Sequence, residues 1–157
     1  MLHQVLVILH LLGAAPWIGG HLVLVRVVLP SALRSRDPKG ILDFERGYGR
    51  IGLTALVLQV GTGAWLAATW LGGWRHVLDF SVPAAHLVIA KLVLLGATLV
   101  QAGYAYHRLI PRLVAVRDEP TEAIKPLRSF ALHAWITTLL AVLMLIVGAS
   151  IRLGGPL

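Results

Sequence analysis

The chain has 157 residues, 57% hydrophobic and only 13% charged, with a mean hydropathy of +0.80 and a formal net charge of +7. Soluble domains carry about 25% charged residues, so a fold that faces water on all sides is excluded. There is no cysteine, which excludes disulfides and thiolate metal sites.

The first element is an uncharged run from Met1 to Val25, long enough to cross about 30 Å of hydrocarbon. It lacks a basic leader and continues past the small residues Gly13–Ala15 to Leu29, so it reads as a retained transmembrane helix rather than a cleaved signal. Pro16 is expected to kink it and Pro30 to end it. Asp37-Pro38-Lys39-Gly40 reads as a turn, and Asp43–Arg50 as a short interfacial helical turn. Three further spans follow. One lies between Arg50 and Arg75, one is Phe80–His107 with Lys91 as its one charge, and one lies between Arg128 and Arg152. Pro83 suits the first turn of the third helix with Ser81 as its N-cap, and Pro111, Pro120 and Pro126 break up the loop that follows. No internal repeat is evident. The expected fold is an all-α integral membrane four-helix bundle, one domain over 1–157, with helices near 2–29, 49–73, 83–108 and 129–152.

Basic residues set the expected orientation. Arg26, Arg34, Arg36, Lys39, Arg46 and Arg50 flank the first loop, and Arg108, Arg112, Arg117, Lys125 and Arg128 flank the third; the second has Arg75 alone. Cytoplasmic loops are enriched in Lys and Arg, so loops one and three are expected inside and both termini outside, in a multi-pass protein of the inner membrane. Anionic lipid accounts for the positive charge without nucleic acid.

Seven histidines are the chemical content. At about 100° per residue, His3, His10 and His21 fall within about 20° of one another on helix one, with Trp17 on the same stripe. His10 and His21 are about 16 Å apart along the axis, too far to share a metal. On helix three, His86 and His107 lie within about 60°, and Lys91 points about 140° from His86. Depth sorts the imidazoles into an outer set, His3, His10, His76 and His86, and an inner set, His21, His107 and His133. Each half thus offers imidazoles from different helices, which is what a bis-histidine haem requires. Arg26 and Arg50, or Arg75 at the other end, are placed to pair with propionates. For His3, His76 and His107, ordinary hydrogen bonding near the interface is the simpler reading. His10 and His21 lie deeper, where polar groups are costly and usually functional. Lys91 either snorkels outward or meets an anionic ligand group, since no span contains an acid. Trp70 and Trp74 read as interfacial belt residues, and Trp65 as core or lipid-facing.

His10, Trp17, Gly19 and Gly20 in helix one, Phe44, Arg46 and Arg50 before helix two, Thr62-Gly63 within it and Lys91 early in helix three resemble the small members of the copper-resistance D (CopD) family. A similar layout, with a helix-one histidine and a helix-three lysine, occurs in the haem-containing protoporphyrinogen oxidases of the HemJ type. The resemblance implies either copper handling or haem b binding. The chain has only two methionines, Met1 and Met144, so a methionine-lined Cu(I) path is absent. Its surplus of histidines resembles the di-haem cytochromes b.

The first expectation is therefore a b-type cytochrome with one or two haems. His10 with His86 would ligate the outer haem and His21 with His133 or His107 the inner one, with Trp17 between them. Quinone, superoxide or a periplasmic carrier would be the electron partner, and a homo-oligomer is compatible with the sequence. The alternative is a periplasm-facing copper protein collecting Cu(II) on His3, His10, His76 and His86. A third is a protoporphyrinogen oxidase with haem at His10 and a porphyrin carboxylate on Lys91.

Overall fold

The computed structural model describes residues 1–77, 79, 81 and 83–152. Four long helices carry the chain: α1 is Leu2–Ser35, α2 Lys39–Leu71, α3 begins at Pro83 and ends at Ala115, and α4 is Ile124–Arg152. Among the described residues there is no strand. Each helix is long and apolar enough to cross a membrane, as expected of a four-helix membrane bundle. α1 lies along α2, and α3 along α4. Contact between α1 and α4 joins these two hairpins, whereas α2 and α3 touch little.

The helices overrun the bounds expected from sequence. α1 continues to Ser35 rather than Leu29, α2 starts at Lys39 rather than near 49, α3 reaches Ala115 rather than 108, and α4 starts at Ile124 rather than 129. The basic residues mark where the chain leaves hydrocarbon, not where helix stops, because Lys and Arg are good helix formers. At 1.5 Å per residue α1 is about 51 Å long against about 30 Å of hydrocarbon, so the ends that carry the charged loops project beyond it.

Two prolines expected to break helices do not. Pro30 and Pro111 each follow a π-helical turn, Leu24–Val28 and Ala105–Leu109. Proline has no N–H, and its ring crowds the carbonyl four residues earlier. Those carbonyls belong to Arg26 and His107, inside the two turns, where the wider i→i+5 winding makes room. The hairpins thus share a device. His10 precedes Pro30 by as many residues as Lys91 precedes Pro111, and Arg36-Asp37 follows the first proline as Arg117-Asp118 follows the second. Pro126 sits in the first turn of α4 and Pro16 inside α1; of the proline breaks expected around the third loop, Pro120 alone stays in a connection.

The connections are closed locally. Arg36, at φ 55°, caps α1 in the left-handed region, and Gly72, at φ 73°, caps α2. The Asp37 carboxylate accepts the Lys39 N–H at 2.9 Å. Lys39 and Gly40, expected in the turn, already belong to α2. Between α2 and α3 lies a 3-10 turn, Trp74–His76; positions 78, 80 and 82 of that connection, and the 153–157 tail, lie outside the described residues. Ser81 donates its hydroxyl and its N–H to Asp79 Oδ1, at 2.5 and 3.0 Å; the cap expected of it at the start of α3 spans position 82, outside the described residues. Those bonds hold the Asp79 carboxyl below the usual carboxylate range.

The main core sits at the charged-loop end. Leu24, Val25, Leu29 and Ala32 of α1 meet Ile41 of α2, Leu109 and Leu113 of α3, Ala123 just before α4, and Leu127, Phe130 and Ala134 of α4. Most of these lie beyond Arg26, Arg50, Arg108 and Arg128, toward the charged connections, and burial of apolar surface favours packing wherever helices meet water. A smaller cluster, Leu71, Val77, Ala85 and Val88, closes the opposite end. Trp65, Trp70 and Trp74 are exposed on the outside of the bundle, so Trp65 does not belong to the core.

Candidate intramembrane histidine sites

The α1–α2 seam is built from small residues. Gly13 lies so close to α2 that a β-carbon would sit 3.2 Å from the Ala55 carbonyl and from Gln59 Cγ. Gly20 is under the Tyr48 ring, which leaves no room for a β-carbon. The Tyr48 hydroxyl donates to the Pro16 carbonyl. Close approach through glycine is how membrane helices associate where lipid gives no hydrophobic push.

This approach brings His10 onto α2. Its Nδ1 is 2.9 Å from the Thr62 hydroxyl, its backbone carbonyl accepts from Gln59 Nε2 at 2.8 Å, and its ring lies over Gly63, where a β-carbon would come to 3.0 Å from Cε1. Thr62 has one hydroxyl proton and donates it to the Leu58 carbonyl at 2.6 Å. With its proton on that shorter contact the hydroxyl accepts from His10, an arrangement that puts the neutral ring's proton on Nδ1 and leaves the Nε2 lone pair bare.

His21, three turns along the stripe, reaches the same tautomer by another route. Its Nδ1 is 2.8 Å from the Trp17 carbonyl, which can only accept, so Nδ1 is again the protonated nitrogen. The Trp17 ring stands 4.8 Å from the His21 ring, centroid to centroid. Trp17 thus belongs with His21 rather than midway to His10. His133 of α4 is buried, lies near enough to His21 to interact electrostatically, and is flanked by Tyr104 and Phe130 at 6.1 and 6.4 Å. Its Nε2 is 3.5 Å from the Thr137 hydroxyl, which donates to the His133 carbonyl.

Lys91 stands in α3 where His10 stands in α1. Its Nζ rests on Gly148 of α4, 3.2 Å from where a β-carbon would be, as His10 rests on Gly63. Its charge reaches the His10 ring. Among the described residues no salt bridge includes it.

The remaining candidates are peripheral. His3, His76, His86 and His107 are exposed. His76 Nδ1 is 3.1 Å from the Leu71 carbonyl, and His107 stands edge-on to Tyr106 at 5.1 Å. Among the described residues no three His, Asp or Glu side chains converge as a metal cluster. His3, His10, His76 and His86 therefore do not gather into one copper site: His10 is turned into the α1–α2 seam, while the others face outward. Arg26 and Arg50 are exposed near the charged-loop end of the spans. Sequence reasoning missed Gln59 and Tyr48. Gln59 could have been found as a polar residue one turn from Ala55 and Thr62–Gly63 on the same α2 face.

No curated protein and no solved structure matches the chain. The family described as Copper resistance protein D matches residues 42–151. That stretch covers nearly all of α2, α3 and α4, with Thr62, Lys91 and His133. It leaves α1, with His10, Trp17 and His21, outside the match. With four membrane-length helices and a match over most of its length, the chain belongs to the copper-resistance D family.

Proposed function

We propose that the protein binds and passes copper ions inside the membrane, using His10 as one station and His21 with His133 as a second. The observation that carries this reading is that His10 and His21 each hold Nδ1 against an oxygen, the Thr62 hydroxyl and the Trp17 carbonyl, which suits a proton on Nδ1 in both. Metal-binding histidines are oriented in this way, with the second nitrogen hydrogen-bonded and the first left to the ion. Imidazole suits copper, and two neutral nitrogens suffice for a cuprous ion, which accepts linear coordination. His21 and His133 supply such a pair from α1 and α4. His10 supplies one nitrogen, with its ring near Lys91.

A b-type haem is the second reading. The same bare Nε2 atoms, one toward each membrane face, suit axial ligation of haem iron. In that case His10 with His86, and His21 with His133, would be the ligand pairs. His107 suits the second pair less well because it is exposed.

One preparation decides. The detergent-purified protein is titrated anaerobically with Cu(I) against a competing chromogenic chelator, and its reduced-minus-oxidised absorption spectrum is recorded. The copper reading expects stoichiometric Cu(I), lost from the second station in His21→Ala and His133→Ala and from the first in His10→Ala. A protein with Soret and α bands and no copper would replace this reading with the haem one. A protein with neither would end both.

A further inference from the structure

A groove of about 370 Å³ runs between α1 and α2 on the outside of the bundle. Gly13 and Ala55 form its floor, Leu12, Pro16 and Leu58 its apolar walls, and Arg50 closes one end. Arg50 is the last charged residue before the uncharged stretch of α2 begins at Ile51, so it marks the edge of the hydrocarbon and the groove runs inward from it. Thr54 also lines the groove, but its hydroxyl is spent on the Arg50 carbonyl at 2.9 Å. One turn from Arg50 along α2, Arg46 is engaged with Asp43 at 3.1 Å. Among the described residues no carboxylate pairs with the Arg50 guanidinium.

The site therefore has an unspent, always-charged fork at headgroup depth and an apolar trough at acyl-chain depth. We infer that this groove holds one anionic phospholipid, with its phosphodiester on Arg50 and an acyl chain along Leu12, Pro16 and Leu58. A guanidinium binds phosphate through two parallel N–H donors, and its stem lies along apolar surface while the head stays at the interface. A zwitterionic lipid presents the same phosphate but adds a cationic group beside Arg46 and Arg50. A net anionic headgroup carries no such penalty.

Native mass spectrometry of the full-length protein, released from micelles doped with phosphatidylglycerol or phosphatidylcholine, tests this. The expected result is one retained phosphatidylglycerol per chain, favoured about five- to tenfold over phosphatidylcholine. Arg50→Gln should abolish that preference, Arg50→Lys should keep part of it, and Arg26→Gln, outside the groove, should leave it intact. Thr54→Phe, which fills the trough, should lower retention of both lipids. Far-UV circular dichroism and a monodisperse elution profile show that each variant is folded. Equal retention of the two lipids by the wild-type protein would overturn the assignment, as would an unchanged preference in Arg50→Gln. So would a dimer that retains neither lipid, since a second copy would then occupy the groove.

Discussion

At the charged-loop end of the bundle, Leu29, Ile41, Leu109, Leu113 and Leu127 are almost wholly buried against one another. Further along the same helices, the contacts are made by Gly13, Gly20, Thr62 and Gly63 with His10, and by Gly148 with Lys91. The first region is packed like the core of a soluble protein, and the second like a membrane interface. The difference follows from the solvent. Where helices emerge into water, burying Leu and Ile is favourable. Within lipid it gains little, so close backbone approach and interhelical hydrogen bonds do the joining. His133 stands where the two regions meet, beside Phe130 of the core, whereas His10 and Lys91 lie in the second. Rigidity there comes from glycine contacts and a few hydrogen bonds, with the greasy end acting as the clamp that holds four helices in register.

Substitutions can break or sharpen this contrast. The largest effect is expected from Leu113→Ala, which empties a fully buried position in the clamp. It should cost about 2–5 kcal/mol in chemical unfolding followed by circular dichroism in detergent. A loss below about 1 kcal/mol would show that the clamp is not a core. Gly20→Ala comes next, because its β-carbon meets the Tyr48 ring; overpacking of this kind costs about 1–3 kcal/mol. Gly19→Ala has nothing within 4 Å of its β-carbon and should leave the melting temperature unchanged. If both variants melted alike, the α1–α2 seam would not depend on close approach.

Thr62→Val should cost less, about 0.5–1.5 kcal/mol for the lost His10 bond. It should also free the His10 ring, visible as a changed imidazole tautomer in nitrogen-15 NMR; an unaltered His10 spectrum would mean that Thr62 does not set the tautomer. The smallest effect belongs to Asp118→Asn. The Lys39–Asp118 pair, 3.5 Å apart with both side chains more than half exposed, should contribute no more than about 1 kcal/mol, and less in high salt. A larger loss in a salt-titrated melt would make the loops part of the clamp.

Much of this was legible beforehand. Four uncharged stretches and the basic residues between them gave the helix count, and the stripe His3–His10–Trp17–His21 gave the face of α1 that carries the two half-buried imidazoles. Helix ends were misread because Pro30 and Pro111 read as stops, and a π turn is not visible in composition. The partner of His10 was hidden for a different reason. Thr62 is within hydrogen-bonding reach of His10 only because Gly13 and Gly63 let α1 and α2 approach, and such spacing is a property of two helices together. Which of His133 and His107 is buried likewise depended on which way α3 and α4 turn.

The sequence by itself determined that this protein lives in lipid, how many times it can cross, and which few polar residues are carried into the hydrocarbon, because a charge-free stretch of about 20 residues has few other stable solutions. Tertiary structure alone decided which oxygen each imidazole meets and from which helix it comes. Those depend on a single acceptor, the Thr62 hydroxyl or the Trp17 carbonyl, lying within 3 Å of one ring atom, and no pattern along one chain sets a distance between two helices.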